Sequence, residues 1–213
     1  MDCRPSTGAP DEDQTLQDLM ARYRREYLSK EATVRVAYKN LKSDGDACEH
    51  AARLLVPRSS KLGWKRHGHF HRGWLYSIEF IGTLDSAAEI LRAYQRSIKT
   101  AAERGFDAVH KRVSELLRHL PGLGPLAFYD ITSLLGHRFD FYPTAVYLHA
   151  GTLAGARVLF GSSQVGSNSQ LTPAQQRRLR PLKAHEIEDF LCIYKSQIES
   201  LKRQGKLPEW SYA

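Results

Sequence analysis

The sequence predicts an all-α protein, on three observations. Apolar residues recur at spacings of three and four along several segments, which is the period of an amphipathic helix. No segment alternates apolar and polar residues clearly enough to predict a sheet. The chain has 213 residues, of which 42% are hydrophobic and 10% aromatic, and this is enough to build a real core.

Predicted helices follow one another along most of the chain. Residues 1–12 are rich in Pro, Ser, Gly and Asp and predict a flexible tail, whereas residues 13–213 predict a single domain. The first helix has its apolar side chains at Leu16, Leu19, Met20, Tyr23 and Tyr27. Other helices are expected at residues 47–56, 85–103, 106–120, 125–135, 144–159 and 184–203, and a basic helix begins with Thr172 as N-cap and Pro173. The polar run 161–170 is interpreted as a connecting loop.

The charge balance points to a polyanionic partner. Thirty-one Lys and Arg against 23 Asp and Glu give a formal charge of +8, which favours nucleic acid over an acidic small molecule or a membrane surface. No apolar run approaches the roughly 18–20 residues that span a bilayer, and the N-terminus has no secretory apolar region, so we expect a cytoplasmic protein. The three cysteines have no metal-ligand spacing, and we expect no cofactor or metal.

The most specific pattern is Leu-Pro-Gly-Leu-Gly at residues 120–124, within two helix-forming runs that span 112–136. A Gly-x-Gly turn can adopt positive φ and expose bare backbone, and the first amides of the next helix point outward. We therefore expect Gly122, Gly124 and Leu126 to hold a phosphate oxygen, with Pro125 at the first helical position. The alternative is an ordinary corner between two helices.

A second candidate contact lies at residues 61–74, where basic residues alternate with aromatic residues and glycines. Such a mixture lets a chain contact phosphates while a ring stacks on a base, and we expect Lys65, Arg66 and Arg72 to help bind DNA. A solvated basic loop is the alternative. A metal site at His67, His69 and His71 is disfavoured, because no carboxylate or Cys lies nearby in the sequence to complete the ligands.

Residues 120–124 match, at every place, the Leu-Pro-Gly-hydrophobic-Gly hairpin of helix-hairpin-helix DNA repair proteins. An all-α chain with this hairpin in its second half resembles the helix-hairpin-helix superfamily of DNA glycosylases. The resemblance implies that Gly122, Leu123 and Gly124 grip the backbone of duplex DNA while a damaged or modified base is flipped into a cleft. It also implies a downstream carboxylate that stabilises positive charge on the sugar as the base leaves.

The sequence departs from the family pattern at the reacting residues. Members that form an imine with the sugar have a Lys where this chain has Leu126, so that lyase chemistry is not expected. The family's downstream Val-Asp-Thr-His-Val corresponds to residues 146–150, where the acid position is Tyr147 and the His is His149. The nearest acid, Asp140, is our predicted catalytic carboxylate, although it could instead cap the helix after Pro143.

Two further roles stay open at this stage. His149 is either an acid or base or a hydrogen-bonded helix residue, and Tyr147 either stacks on a base or packs in the core.

The predicted function is that of a monofunctional DNA glycosylase-like enzyme. One alternative is a relative that modifies bases, like the enzymes proposed to install amines on pyrophosphorylated thymines in phage DNA, with the small residues 151–156 near the nucleotide. The other is a DNA-binding module without catalysis.

Overall fold

The computed structural model describes residues 15–58, 63–66, 78–166 and 170–208. Within these ranges the chain forms eleven helices and one two-stranded sheet, which confirms a mainly α-helical fold. The predicted tail at residues 1–12 lies outside the described residues. The elements are α1 Leu16–Lys39, α2 Asp44–Ala52, β1 Leu55–Pro57, β2 Trp64–Arg66, α3 Ile78–Ala93, α4 Gln95–Ala102, α5 Phe106–Leu117, α6 Pro125–Phe139, α7 Ala150–Phe160, α8 Ser162–Val165, α9 Pro173–Arg178, α10 Ala184–Ile193 and α11 Lys195–Arg203.

The chain divides into two compact units. Of the described residues, unit 1 contains those in 29–143, and unit 2 contains those in 15–28 and 144–208. Helix α1 therefore contributes its first half to unit 2 and its second half to unit 1. None of the helices formed by the described residues is long and apolar enough to cross a membrane.

Unit 1 packs α2 against α3 and α6, and α5 against α4 and α6. Helix α2 starts where the Ser43 side chain accepts a hydrogen bond from the Asp46 amide at 3.0 Å, which is an N-cap. Within this unit, Arg138 of α6 binds to the C-terminal end of α1 and to the start of α2. Its guanidinium bonds Asp44 Oδ1 at 2.9 Å and the carbonyl oxygens of Lys39 and Leu41 at 2.9 and 3.1 Å.

Unit 2 packs α7 against α10 and α11 around an aromatic and aliphatic core that includes Tyr23, Phe190 and Tyr194. The approach of α7 to α10 is unusually close. A Cβ at Gly155 would lie 2.2 Å from the Leu191 carbonyl oxygen, and one at Gly151 would lie 2.5 Å from Cys192 Sγ. The small residues of 151–156 therefore allow tight packing between helices. The predicted helix start at Thr172 is confirmed, since its hydroxyl accepts a hydrogen bond from the Gln175 amide.

The expectation that the chain forms no sheet is wrong. The helix expected at 47–56 ends at Ala52, because Leu54 adopts a φ of 55° and turns the chain into β1. Strand β1 pairs antiparallel with β2, with Val56 opposite Lys65. A short apolar run does not distinguish a helix from a strand, because either element can bury its apolar side chains. Val56 is buried in the strand, where it is 3% exposed.

Several helix boundaries also differ from the predicted ones. The helix expected at 85–103 begins at Ile78 and is interrupted at Tyr94, and the one at 184–203 is interrupted at Tyr194. The helix at 125–135 extends to Phe139. The helix at 144–159 begins only at Ala150. The residues before it are extended, with the Val146 carbonyl accepting the Leu171 amide at 3.0 Å, because this pairing satisfies the backbone outside a helix.

Candidate nucleic-acid interface

The segment that contains Leu-Pro-Gly-Leu-Gly lies between two helices of unit 1. Residues 118–124, which we call the hairpin, connect α5 to α6. Leu117 is fully buried before it and Leu123 is 7% exposed within it, so the two leucines fix its base in the core. Pro121 and Gly122 lie exposed between these anchors. The hairpin is therefore anchored in the core by two buried leucines, and Pro121 and Gly122 form its exposed tip.

Gly122 is required by the backbone. Its φ is 80°, in the left-handed region that a residue with a Cβ enters only at a cost. This agrees with the sequence-based expectation for a Gly-x-Gly turn. Its presence is fully accounted for by the turn, whatever the turn binds.

Gly124 is not required in the same way. Its φ of −116° and ψ of −174° are extended values that any residue adopts. A Cβ built at this position would have no heavy atom within 4 Å. Neither the backbone conformation nor the packing of the described residues therefore requires a glycine here, although glycine is one of the residues favoured at an N-cap. A ligand that approaches the backbone closely would explain it.

The N-terminal end of α6 begins at this same glycine. Gly124 is the N-cap residue, and no side chain of the described residues caps the helix there. Pro125 occupies the first helical position, and the first turn contains no acidic residue. The amides of Leu126 and Ala127 belong to this first turn, where helix geometry provides no carbonyl partner. Leu126 is half-buried, and its amide is one of those in the first turn.

Two exposed side chains at the start of the hairpin offer hydrogen-bond donors, and the guanidinium of Arg118 adds a positive charge. Arg118 is the C-cap of α5, and His119 follows it. We did not single out either residue from the sequence, although their position directly before Leu-Pro-Gly-Leu-Gly was the available signal. Phosphate groups are contacted by such side chains as well as by amides at helix N-termini.

Asp140 lies at the opposite end of α6. It is the C-cap residue, with φ 60° and ψ 43°, and its amide donates to the Gly136 carbonyl. Its carboxylate accepts from Arg35 Nη2 at 2.9 Å and forms an ion pair with Lys39. The hydrogen bond from Lys39 is the largest effect on the pKa of Asp140 and lowers it; burial opposes this shift, and the hydrogen bond from Arg35 adds to it, so the pKa lies below its ordinary value. Asp140 therefore closes α6 and does not cap the following helix, whose N-cap is His149.

This placement weakens the case for Asp140 as the catalytic carboxylate. A helix of 15 residues is about 22 Å long, so the hairpin and Asp140 are separated by roughly that distance. The Asp140 side chain is 51% exposed and its charge is already matched by two cations. A carboxylate that stabilises a developing positive charge acts best where water and competing cations are excluded.

Tyr147 and His149 belong to unit 2, in the extended segment before α7. Tyr147 forms an antiparallel bridge with Gln170. The Tyr147 and His149 rings stack with centroids 6.3 Å apart and planes 8° apart, and both residues are half-buried. His149 is thus the N-cap of α7 and not a residue inside a helix. The predicted catalytic residues are divided between the two units.

Lys65 and Arg66 lie on β2 in unit 1 and are half-buried. The adjacent Trp64 packs edge-on against the rings of Tyr38 and His50, with centroids 5.7 and 4.5 Å away. The indole therefore contributes to this packing as well as to the partly exposed surface of the strand. Arg72 and the histidines at 67, 69 and 71 lie outside the described residues.

Comparison with protein-family models, with curated proteins and with solved structures finds no match to this chain.

Proposed function

We propose that this protein binds the sugar–phosphate backbone of duplex DNA through the hairpin at residues 118–124. The observation that supports this most strongly is Gly124. It is a glycine that the protein's own conformation does not need, placed at the bare N-terminal end of a 15-residue helix. A phosphate oxygen can reach the amides there only if no side chain covers them.

The surrounding charges support the same ligand. The helix dipole places partial positive charge at the N-terminal end of α6, and the first turn has no carboxylate to neutralise it. Arg118 and His119 are exposed beside it. The formal charge of +8 adds a long-range attraction to polyanions. Contacts of this kind position a duplex without reading its sequence.

The binding proposal is tested by placing a negative charge where the phosphate would lie. In Gly124→Asp the side chain caps α6 and occupies the phosphate position, so we expect duplex affinity to fall by about tenfold or more. Gly82→Asp is the matched control, because Gly82 is an exposed glycine of unit 1 on α3 with open space around it. Fluorescence anisotropy with a labelled duplex measures both variants. Equal affinity of the two variants would contradict the proposal.

Base excision at Asp140 remains a prediction with weaker support, and the geometry favours DNA binding without cleavage at that residue. The test is a panel of duplexes, each with one altered base or an abasic site, scored for alkali-labile breaks with the wild type and Asp140→Asn. We expect binding to every duplex without a break. A break in one duplex that Asp140→Asn abolishes would instead identify a monofunctional glycosylase and its acid.

A further inference from the structure

A second concentration of positive charge lies in unit 2, where the C-terminal end of α7 faces α11. An open groove of about 450 Å³ is lined there by Arg157, Val158, Ser162, Glu199, Lys202 and Arg203. Three of these six residues are cations, one is a carboxylate and one is a hydroxyl. The groove belongs entirely to unit 2 and shares no residue with the hairpin.

Two of the cations are held in place by the backbone. Lys202 Nζ donates to the Val158 carbonyl at 3.2 Å, and Arg157 Nη2 donates to the Gly166 carbonyl at 3.1 Å. An ammonium group has three donors and a guanidinium has five, so each side chain keeps donors for a ligand. Because these bonds already restrict the two side chains, the side chains would lose less conformational entropy when a ligand binds.

The charge and size of the groove fit a phosphate group. Three cations against Glu199 leave an excess of two positive charges, which matches a phosphate that carries one or two negative charges. Arginine donates paired hydrogen bonds that suit phosphate oxygens, and Ser162 offers a further donor. A volume of about 450 Å³ lies within the range of small-molecule sites, and Val158 is the one apolar lining residue.

We propose that this groove binds a phosphate group, supplied either by a nucleic-acid backbone or by a small phosphorylated molecule. Arg157 and Arg203 are the residues whose guanidinium groups contact the phosphate, and Lys202 adds a third positive charge. Glu199 lowers the excess positive charge of the groove from three to two.

The test compares two double variants of the full chain that remove the same charge. Arg157→Gln with Arg203→Gln changes the groove, whereas Arg24→Gln with Arg25→Gln changes two exposed arginines of α1 within unit 2. All four residues are exposed, so we expect both variants to keep the wild-type circular dichroism spectrum. Calorimetric titration with inorganic pyrophosphate should show about tenfold weaker binding for the groove variant and an unchanged affinity for the control.

A duplex titration at several salt concentrations then separates the two sources of phosphate. If a nucleic-acid backbone enters the groove, the groove variant also has a shallower slope of affinity against salt, by about one for each phosphate that the groove no longer binds. If a small molecule is the ligand, only pyrophosphate binding falls. The proposal is overturned if the groove variant and the control bind both probes alike. Because Gly124→Asp leaves the groove intact, failure of the hairpin proposal would be seen separately.

Discussion

The two ends of α6 are built in opposite ways. At its C-terminal end, Asp140 closes the helix and pairs with Arg35 and Lys39, while Arg138 bonds the last carbonyls of α1. At its N-terminal end, Gly124 provides no side-chain cap and Pro125 provides no amide. One end is satisfied by groups of the protein itself. The other leaves hydrogen-bond donors at an exposed loop.

The contrast separates residues that the fold explains from residues that it does not. The charged residues at the C-terminal end have partners and stabilise unit 1. Gly124 has neither a positive φ nor a crowded Cβ position, so the fold does not require a glycine there. The contacts at the C-terminal end stabilise the fold, whereas ligand binding at the N-terminal end is our proposal, and both statements can be tested by substitution.

The largest expected effect is at the C-terminal end. Arg138→Gln removes an ion pair with Asp44 and hydrogen bonds to the carbonyl oxygens of Lys39 and Leu41 from a side chain that is 19% exposed. We expect the free energy of unfolding to fall by about 2–3 kcal/mol in urea denaturation. Arg104→Gln, at an exposed arginine of the same unit, should change it by less than about 0.5 kcal/mol. An equal decrease in the free energy of unfolding of the two variants would show that the contacts of Arg138 do not stabilise the protein.

A smaller effect distinguishes the two hairpin glycines. Gly122→Ala forces a Cβ into a φ of 80° and should lower the free energy of unfolding by about 1–2 kcal/mol. Gly124→Ser places a favourable N-cap residue at extended φ and should leave it unchanged or raise it by a few tenths, about 0.3 kcal/mol. Thermal unfolding of the two variants measures the difference. If both destabilise the protein equally, Gly124 is a structural glycine after all.

The smallest effect concerns Asp140. Asparagine also tolerates left-handed backbone, so Asp140→Asn removes the ion pairs and leaves the cap conformation unchanged. Because the folded pKa of Asp140 is lowered, its stabilisation is present above its ordinary pKa of 3.8 and is lost as the pH falls through the folded value. We expect the variant to be less stable by under about 1 kcal/mol at pH 7, since the pair is exposed.

Unfolding measured over a pH series checks this expectation. The difference between wild type and Asp140→Asn should shrink as the pH falls below about 4 and should be absent once the carboxyl is protonated in both folded and unfolded chains. A difference that stays constant with pH would mean that Asp140 acts through its backbone conformation and not through its charge.

The sequence predicted the features that depend on neighbouring residues. The positive φ at Gly122, the proline at the start of α6 and the Thr172 cap all follow from local chemistry within a few positions. The partners of Asp140 could not be predicted from local chemistry, because Arg35 lies 105 residues away along the chain. Strand β1 was missed for a related reason, since its pairing with β2 depends on the left-handed turn at Leu54. These long-range partners pair with the carboxylate that the sequence alone left as a candidate for catalysis.

The most direct test of the central claim is a titration of ¹⁵N-labelled protein with a DNA duplex, followed by amide chemical shifts. The hairpin proposal predicts that the signals of Gly122, Gly124 and Leu126 shift first, and that those of Gly136 and Asp140 at the other end of α6 stay in place. The proposal would be contradicted if the duplex binds while the hairpin amides do not shift, or if the C-terminal end of α6 responds instead.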